Sequence, residues 1–194
     1  MIRSATMLIL ALSLLSANVV IASDGINLNP QYNHAKFAAR DRTINPDGSI
    51  YGVKFGATEK QILGAFGVPN GVIAISETRK AFLYGKSHLF VLRGGKLREL
   101  RVGDHLIDWE LTKQMDGNPF FDRTDWVLSP GLKKGMDFND VQKALGRSNA
   151  EPSYQLTYDS KETSVTLNFS SASGPNAKPE GYHLSSFSIL SYGQ

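Results

Sequence analysis

Histidine and carboxylate residues are the first candidates for chemistry in this chain. His88, His105 and His183 could each act as a base, and Asp104 beside His105, with Asp108 three residues beyond it, sets imidazole and carboxylate on one turn. That is what a general base and its orienting group require, and it would suit a hydrolase working through His105 or His88. A solvated charged turn accounts for Asp104, His105 and Asp108 more simply. No nucleophile elbow, zinc spacing, phosphate loop or dinucleotide fingerprint accompanies them, so the sequence assigns no catalytic residue, no metal ligand and no cofactor. His34 and Tyr32, in a polar stretch, read as surface residues.

Recognition chemistry is better represented. Trp109, Phe120, Phe121 and Trp126 crowd into the segment Asp104 to Trp126. They have two readings: a core between two halves of the protein, or part of an exposed patch of the aromatic kind found at protein interfaces.

These residues need a scaffold, and the sequence writes one twice. GVKFGATEKQILGAFG, from Gly52 to Gly67, returns as GLKKGMDFNDVQKALG, from Gly131 to Gly146. Each copy predicts a short helix. Thr58 and Gln61 have the spacing of a capping box, and Asp137 with Asp140 is a weaker version of it. Ala57 and Met136 stand where a hydrophobic staple would meet Ile62 and Val141. Ile62, Ala65 and Phe66, like Val141, Ala144 and Leu145, fall at i, i+3 and i+4 and form one apolar stripe. Gly67 and Gly146 end the helices. Helices this short are marginal alone and need a sheet to lie on.

After the first helix the pattern becomes strand-like over Val72 to Ile75, Ala81 to Tyr84, His88 to Leu92 and Leu97 to Val102. Gly94-Gly95 predicts a two-residue hairpin turn, since both positions of a primed turn need positive φ. Counting outward from that turn pairs Leu92 with Leu97, Phe90 with Glu99 and His88 with Arg101, which would leave His88, Phe90, Glu99 and Arg101 on the open side of the sheet. Leu106 to Leu111 reads as an extension of the sheet. Beyond the second helix, strands are expected over Tyr154 to Tyr158, Thr163 to Phe169 and Tyr182 to Leu190, with a long polar loop from Ser170 to Gly181.

The N-terminus has the form of a secretory signal: Arg3, an apolar run through Leu15 to Ile21, and a small-residue site at Ala22. The competing reading is an uncleaved anchor helix. Cysteine is absent, which excludes disulfides, cysteine metal sites, thiol catalysis and an acylated lipoprotein cysteine. The formal charge is +3, and loss of Arg3 with the signal leaves about +2, which gives no support to nucleic-acid binding.

A glycine, a short capped helix of the form G-x-[TD]-x-x-x-[IV]-x-x-x-[FL]-G, a Tyr-bearing strand and a hairpin, all repeated, resembles the beta-lactamase-inhibitor-protein-like (BLIP-like) fold. It also resembles the single-unit outer-membrane-assembly lipoproteins of the SmpA/OmlA type. Gly56, Thr58, Ile62, Phe66, Gly67, Pro69 and Tyr84 carry the first copy, and Gly135, Asp137, Val141, Leu145, Gly146 and Tyr158 the second. The resemblance implies an α+β fold of two tandem repeats, each a short helix on an antiparallel sheet. It also implies a binding protein, possible inhibitor, or envelope-assembly scaffold that grips a protein with its open sheet face and inter-repeat cleft.

The expected organisation is a signal peptide (1–22), an extension (23–48), a first repeat (49–113), a linker (114–127) and a second repeat (128–194). The expected contact residues are His88, Phe90, Glu99, Arg101, Trp109, Phe120, Phe121 and Trp126. The protein is expected to be non-enzymatic and periplasmic or secreted, with a protein partner.

Overall fold

Apolar residues alternate with polar ones in stretches such as Thr163 to Ser170, and the computed structural model places these stretches in strands. It describes residues 26–28, 42–104, 106–123, 125–147, 153–171 and 181–193. In chain order the elements are β1 (Ile26–Leu28), β2 (Thr43–Ile44), β3 (Ser49–Ile50), β4 (Val53–Lys54), α1 (Glu59–Phe66), β5 (Gly71–Ser76), β6 (Arg79–Tyr84), β7 (His88–Arg93), β8 (Lys96–Val102), α2 (Trp109–Gln114), β9 (Val127–Leu128), α3 (Phe138–Ala144), β10 (Gln155–Asp159), β11 (Thr163–Ser170) and β12 (His183–Ser191). The fold is α+β: an eight-stranded sheet in the order β1-β5-β6-β7-β8-β12-β11-β10 and a four-stranded sheet in the order β4-β3-β2-β9. The expected signal segment, His34, Tyr32, His105 and most of the Ser170 to Gly181 loop lie outside the described residues.

Helix α1 forms because both its ends are satisfied locally. Thr58 Oγ1 accepts from the Gln61 amide at 3.4 Å while Gln61 Oε1 accepts from the Thr58 amide at 2.8 Å. Ile62 and Phe66 are wholly buried. At about 1.5–3 kcal/mol for each large apolar side chain, that burial supplies what an isolated eight-residue helix lacks. Helix α3 differs from expectation at its cap. Asp137 makes no side-chain cap bond, because its carboxylate turns to His183 Nδ1, 2.8 Å away.

The turns before both helices are stitched to the large sheet in the same way. Gly56 donates to the Leu97 carbonyl and Leu97 to the Ala57 carbonyl, each at 2.8 Å; Gly135 donates to the Leu184 carbonyl at 2.8 Å and Leu184 to the Met136 carbonyl at 2.9 Å.

The hairpin turn forms as its glycines predict, with φ of 56° at Gly94 and 72° at Gly95. Register does not follow from it. Leu92 pairs with Leu97, but Val91 then pairs with Glu99, Phe90 with Leu100, Leu89 with Arg101 and His88 with Val102, across a β-bulge. The extra residue, Arg98, shifts every later pair by one and exchanges the faces. Phe90 and Leu92 now share the inner face with Leu97, Leu100 and Val102, where α1 and α3 pack. His88 and Phe90 are therefore buried, and the expectation that they stand on the open side is corrected.

Strand β7 is covered on both sides. On the outer face Ile73, Ala81, Leu83, Leu89 and Val91 form a second apolar cluster with Ile107 and Met115. The segment expected to extend the sheet through Leu106 to Leu111 instead folds over this cluster and forms α2. Asp108 Oδ1 caps α2 by accepting from the Glu110 amide at 2.9 Å. Ile107, Leu111 and Met115 recur every four residues, so one side of the segment is apolar at helical spacing.

Candidate binding face

Among the described residues, the outer face of the large sheet is covered in one half and open in the other. The 106–115 segment stops over β5, β6 and β7. Beyond it, across β8, β12, β11 and β10, pairing sets Arg101 opposite Ser188 and Glu99 opposite Leu190; Ser188 lies opposite Thr166 and Ser186 opposite Asn168; Thr157 lies opposite Thr166 and Gln155 opposite Asn168. Residues paired this way share a face. Strand β11 alternates buried Val165, Leu167 and Phe169 with part-exposed Ser164, Thr166 and Asn168.

Short polar side chains there hold one another in rows. Thr157 Oγ1 lies 3.2 Å from Thr166 Oγ1, Gln155 Nε2 donates to Asn168 Oδ1 at 3.2 Å, and Asn168 Nδ2 donates to Ser186 Oγ at 3.2 Å. The result is a hydroxyl- and amide-rich surface with little side-chain entropy left to lose on contact.

At the seam of β8 and β12 this surface opens into a cleft of about 240 Å³ lined by Arg79, Val91, Arg93, Arg98, Glu99, Leu190, Ser191, Tyr192 and Gly193. Among the described residues Glu99 is the only carboxylate in its wall. The Glu99 side chain is 13% exposed, accepts from Arg101 Nε at 2.5 Å and stands 3.9 Å from Arg79 Nη2. Arg79 lies directly opposite Arg93 in the β6–β7 ladder. Leu190 and Tyr192 are exposed at the mouth, 42% and 57% respectively.

The eight expected contact residues separate into two groups. Glu99 and Arg101 reach the outer face, and Trp109 is 55% exposed on α2, its ring 5.3 Å from Lys113 Nζ. His88, Phe90, Phe120, Phe121 and Trp126 are buried. Phe120 and Phe121 pack edge-on to each other at 5.0 Å between centroids, and Trp126 packs on Phe187 at 4.8 Å. Of the two readings of the aromatic segment, the core reading describes these three and exposure describes only Trp109. Asp122 and Asn118 hold their loop: Asp122 accepts from the Lys86 and Asn118 amides, both at 2.5 Å, and Asn118 Oδ1 accepts from the Phe120 amide at 2.9 Å.

The histidines and carboxylates do not converge. His88 Nδ1 lies 2.9 Å from Ser87 Oγ, whose own proton goes to the Phe121 carbonyl at 2.7 Å. Nδ1 is therefore the protonated nitrogen and Nε2 accepts from the Tyr51 hydroxyl at 2.8 Å. Burial, and then the charge of Arg42, lower His88 from its ordinary value to about 3, against an opposing hydrogen bond to the Phe121 backbone. It is a neutral, fully partnered core residue. Asp104 pairs with Lys134 at 2.7 Å, Asp108 caps α2, and His183 pairs with Asp137. Among the described residues no three His, Asp or Glu side chains are placed to share a metal ion.

Arg79, Arg93 and Arg98 were not among the expected contact residues. Their signal in the sequence is the density of arginine around the hairpin turn, Arg93-Gly94-Gly95-Lys96-Leu97-Arg98 with Arg101.

No family model matches the chain, and no curated protein matches it. Among solved structures it is similar to an extracellular protein containing a SCP domain from Bacillus anthracis str. Ames, with a TM-score of 0.38 and 10% identity, and to a cysteine-rich secretory protein from Staphylococcus aureus subsp. aureus Mu50, with a TM-score of 0.42 and 13% identity. Each similarity covers 71% of this chain and 44% of the other. These structures are neither BLIP-like nor of the SmpA/OmlA type, and the resemblance drawn from the capped-helix motif is corrected accordingly. The motif describes how a short helix is capped and followed by a hairpin, an arrangement set by local chemistry. Likeness at these TM-scores carries no argument about what this chain does.

Proposed function

We propose that this is an exported, non-enzymatic protein-binding module that meets its partner through the open half of the outer sheet face. The observation that carries this reading is the asymmetry of that face: one half lies under the α2 segment, while the other presents part-exposed Thr166, Asn168, Ser186 and Ser188 beside the cleft edged by Leu190 and Tyr192. Polar, preorganised side chains around exposed apolar and arginine groups are the composition of a non-obligate protein contact. Export rests on the signal-like N-terminal sequence. Among the described residues no helix is long and apolar enough to cross a membrane.

In the same reading the protein is two copies of one unit, helix on antiparallel ribbon, joined edge to edge at β8 and β12. The matching backbone bonds before α1 and α3 support this. Joining the two ribbons is what makes the outer face broad enough for a partner.

The test is capture of a partner from the exported fraction by the intact protein and by variants. Ser188→Arg should abolish capture and Lys60→Glu, on the exposed side of α1, should not. Equal capture by both variants would remove this choice of face.

A further inference from the structure

We infer that the seam cleft is a carboxylate-binding site that engages acidic side chains of a partner polypeptide, with Arg79 and Arg93 as the paired receptors. This rests on the protein-binding reading for the source of the carboxylates. The geometry of the site stands independently of it.

Three observations point the same way. Arg79 and Arg93 occupy directly opposite positions in the β6–β7 ladder. Like charges facing each other across strands repel, and the one carboxylate beside them among the described residues, Glu99, is shared with Arg101 and reaches Arg79 only at 3.9 Å, so it offsets the repulsion in part. Next, Arg79 Nε is buried without a hydrogen-bond partner. A buried donor left unpaired carries its full desolvation cost, and a charged one costs more than a neutral one. Glu99 does not meet this need: its Oε1 is taken by Arg101 Nε at 2.5 Å, and its other oxygen stands 3.9 Å from Arg79 Nη2, beyond hydrogen-bond distance. Finally, the cleft is open beside these guanidinium groups and has apolar walls at Val91 and Leu190, where field lines concentrate and a charge-assisted bond is stronger than on a convex surface.

Guanidinium matches a carboxylate through two parallel N–H donors, which lysine cannot offer. The rows of hydroxyls and amides next to the cleft suit the backbone and polar groups of a peptide. A partner with clustered Glu or Asp is therefore the complementary occupant.

The experiment uses the intact protein and fluorescein-labelled hexaglutamate, read by anisotropy at low and physiological salt, with hexaglutamine and inorganic phosphate as comparisons. Hexaglutamate should bind, more weakly as salt rises, and hexaglutamine should not. Arg93→Gln, at an exposed position that leaves the core untouched, should weaken binding about tenfold, as should Arg79→Gln. Glu99→Gln, which removes the competing carboxylate, should tighten it, and Lys143→Gln on α3 should change nothing. No binding of hexaglutamate, or the same affinity in Arg93→Gln and Lys143→Gln, would overturn the proposal. So would phosphate competing at lower concentration than the peptide, because the site would then be a phosphate site. Should a partner be captured equally by the wild type and Arg93→Gln, the carboxylate site fails while the binding function stands. Should hexaglutamate bind as described with no partner captured, the reverse holds.

Discussion

Tyr51 donates from its hydroxyl to His88 Nε2 across 2.8 Å in the interior, and that bond ties the small sheet to the large one. Tyr51 is the first residue of the tight turn between β3 and β4, with φ of 49°, a left-handed conformation that a bulky residue adopts at a cost. Its ring compensates by packing on Phe120 at 5.2 Å and Phe121 at 6.0 Å. Burial also pushes the phenol well above its ordinary pKa, with Arg42 opposing, so it stays protonated and remains a donor. Tyr51→Phe keeps the ring and removes the donor. The variant should lose about 1–3 kcal/mol in urea unfolding, because His88 is left with a buried acceptor and no partner.

The same pair predicts an acid-sensitive fold. His88 is held neutral, with a folded value of about 3 against an ordinary 6.5. Above pH 6.5 both folded and unfolded chains carry it neutral and it contributes nothing to the pH dependence. As pH falls below 6.5 the unfolded chain takes up a proton that the folded chain refuses, so stability drops by up to about 1.4 kcal/mol per pH unit down to about pH 3. His88→Gln should remove that slope between pH 6.5 and 4.5, above the range where carboxylates dominate. An unchanged slope in the variant would show that His88 is not its source.

The helix caps give a paired prediction. Thr58→Ala removes the side-chain half of the α1 capping box, the bond from the Gln61 amide, and leaves the residue-58 amide its bond to Gln61; it should cost about 1 kcal/mol. Asp137→Ala removes only a part-exposed contact with His183, since Asp137 makes no cap bond, and should cost no more than about 1 kcal/mol and less than Thr58→Ala. Thermal unfolding of the two variants in one buffer compares them directly.

Gly85 adopts φ of 60°, and a Cβ there would run into the Asp122 carboxylate that holds the Asn118 to Asp122 loop. Gly85→Ala should cost about 2 kcal/mol or more through backbone strain and the displaced loop. Trp126 lies beside that loop, so its fluorescence should report the loss.

How much of this was legible depends on how local each determinant is. Helix α1 was readable because Thr58, Gln61 and Gly67 specify its ends within one short stretch. The Gly94-Gly95 turn was readable for the same reason. The bulge at Arg98 was not: it is set by which of two apolar rows, Phe90 with Leu92 or Leu89 with Val91, finds the better cover, and that depends on segments distant in sequence. His88-Leu89-Phe90-Val91-Leu92 is nearly continuously apolar, the mark of a strand covered on both faces, and that signal would have argued against an open side there. Helix α2 also left a trace, in Asp108 as a cap and in the four-residue spacing of Ile107, Leu111 and Met115. The seam cleft could not be read ahead of the structure, because Arg79, Arg93 and Leu190 meet only when β12 pairs with β8.

The account turns on the open half of the outer face being the contact surface, and site-specific photo-crosslinking tests it most directly. A benzophenone side chain placed at Thr166 on β11 should crosslink to a single exported partner, while the same group at Lys60 on α1 should give no product. Crosslinks from Lys60 and none from Thr166 would contradict the account and put any contact on the helical side.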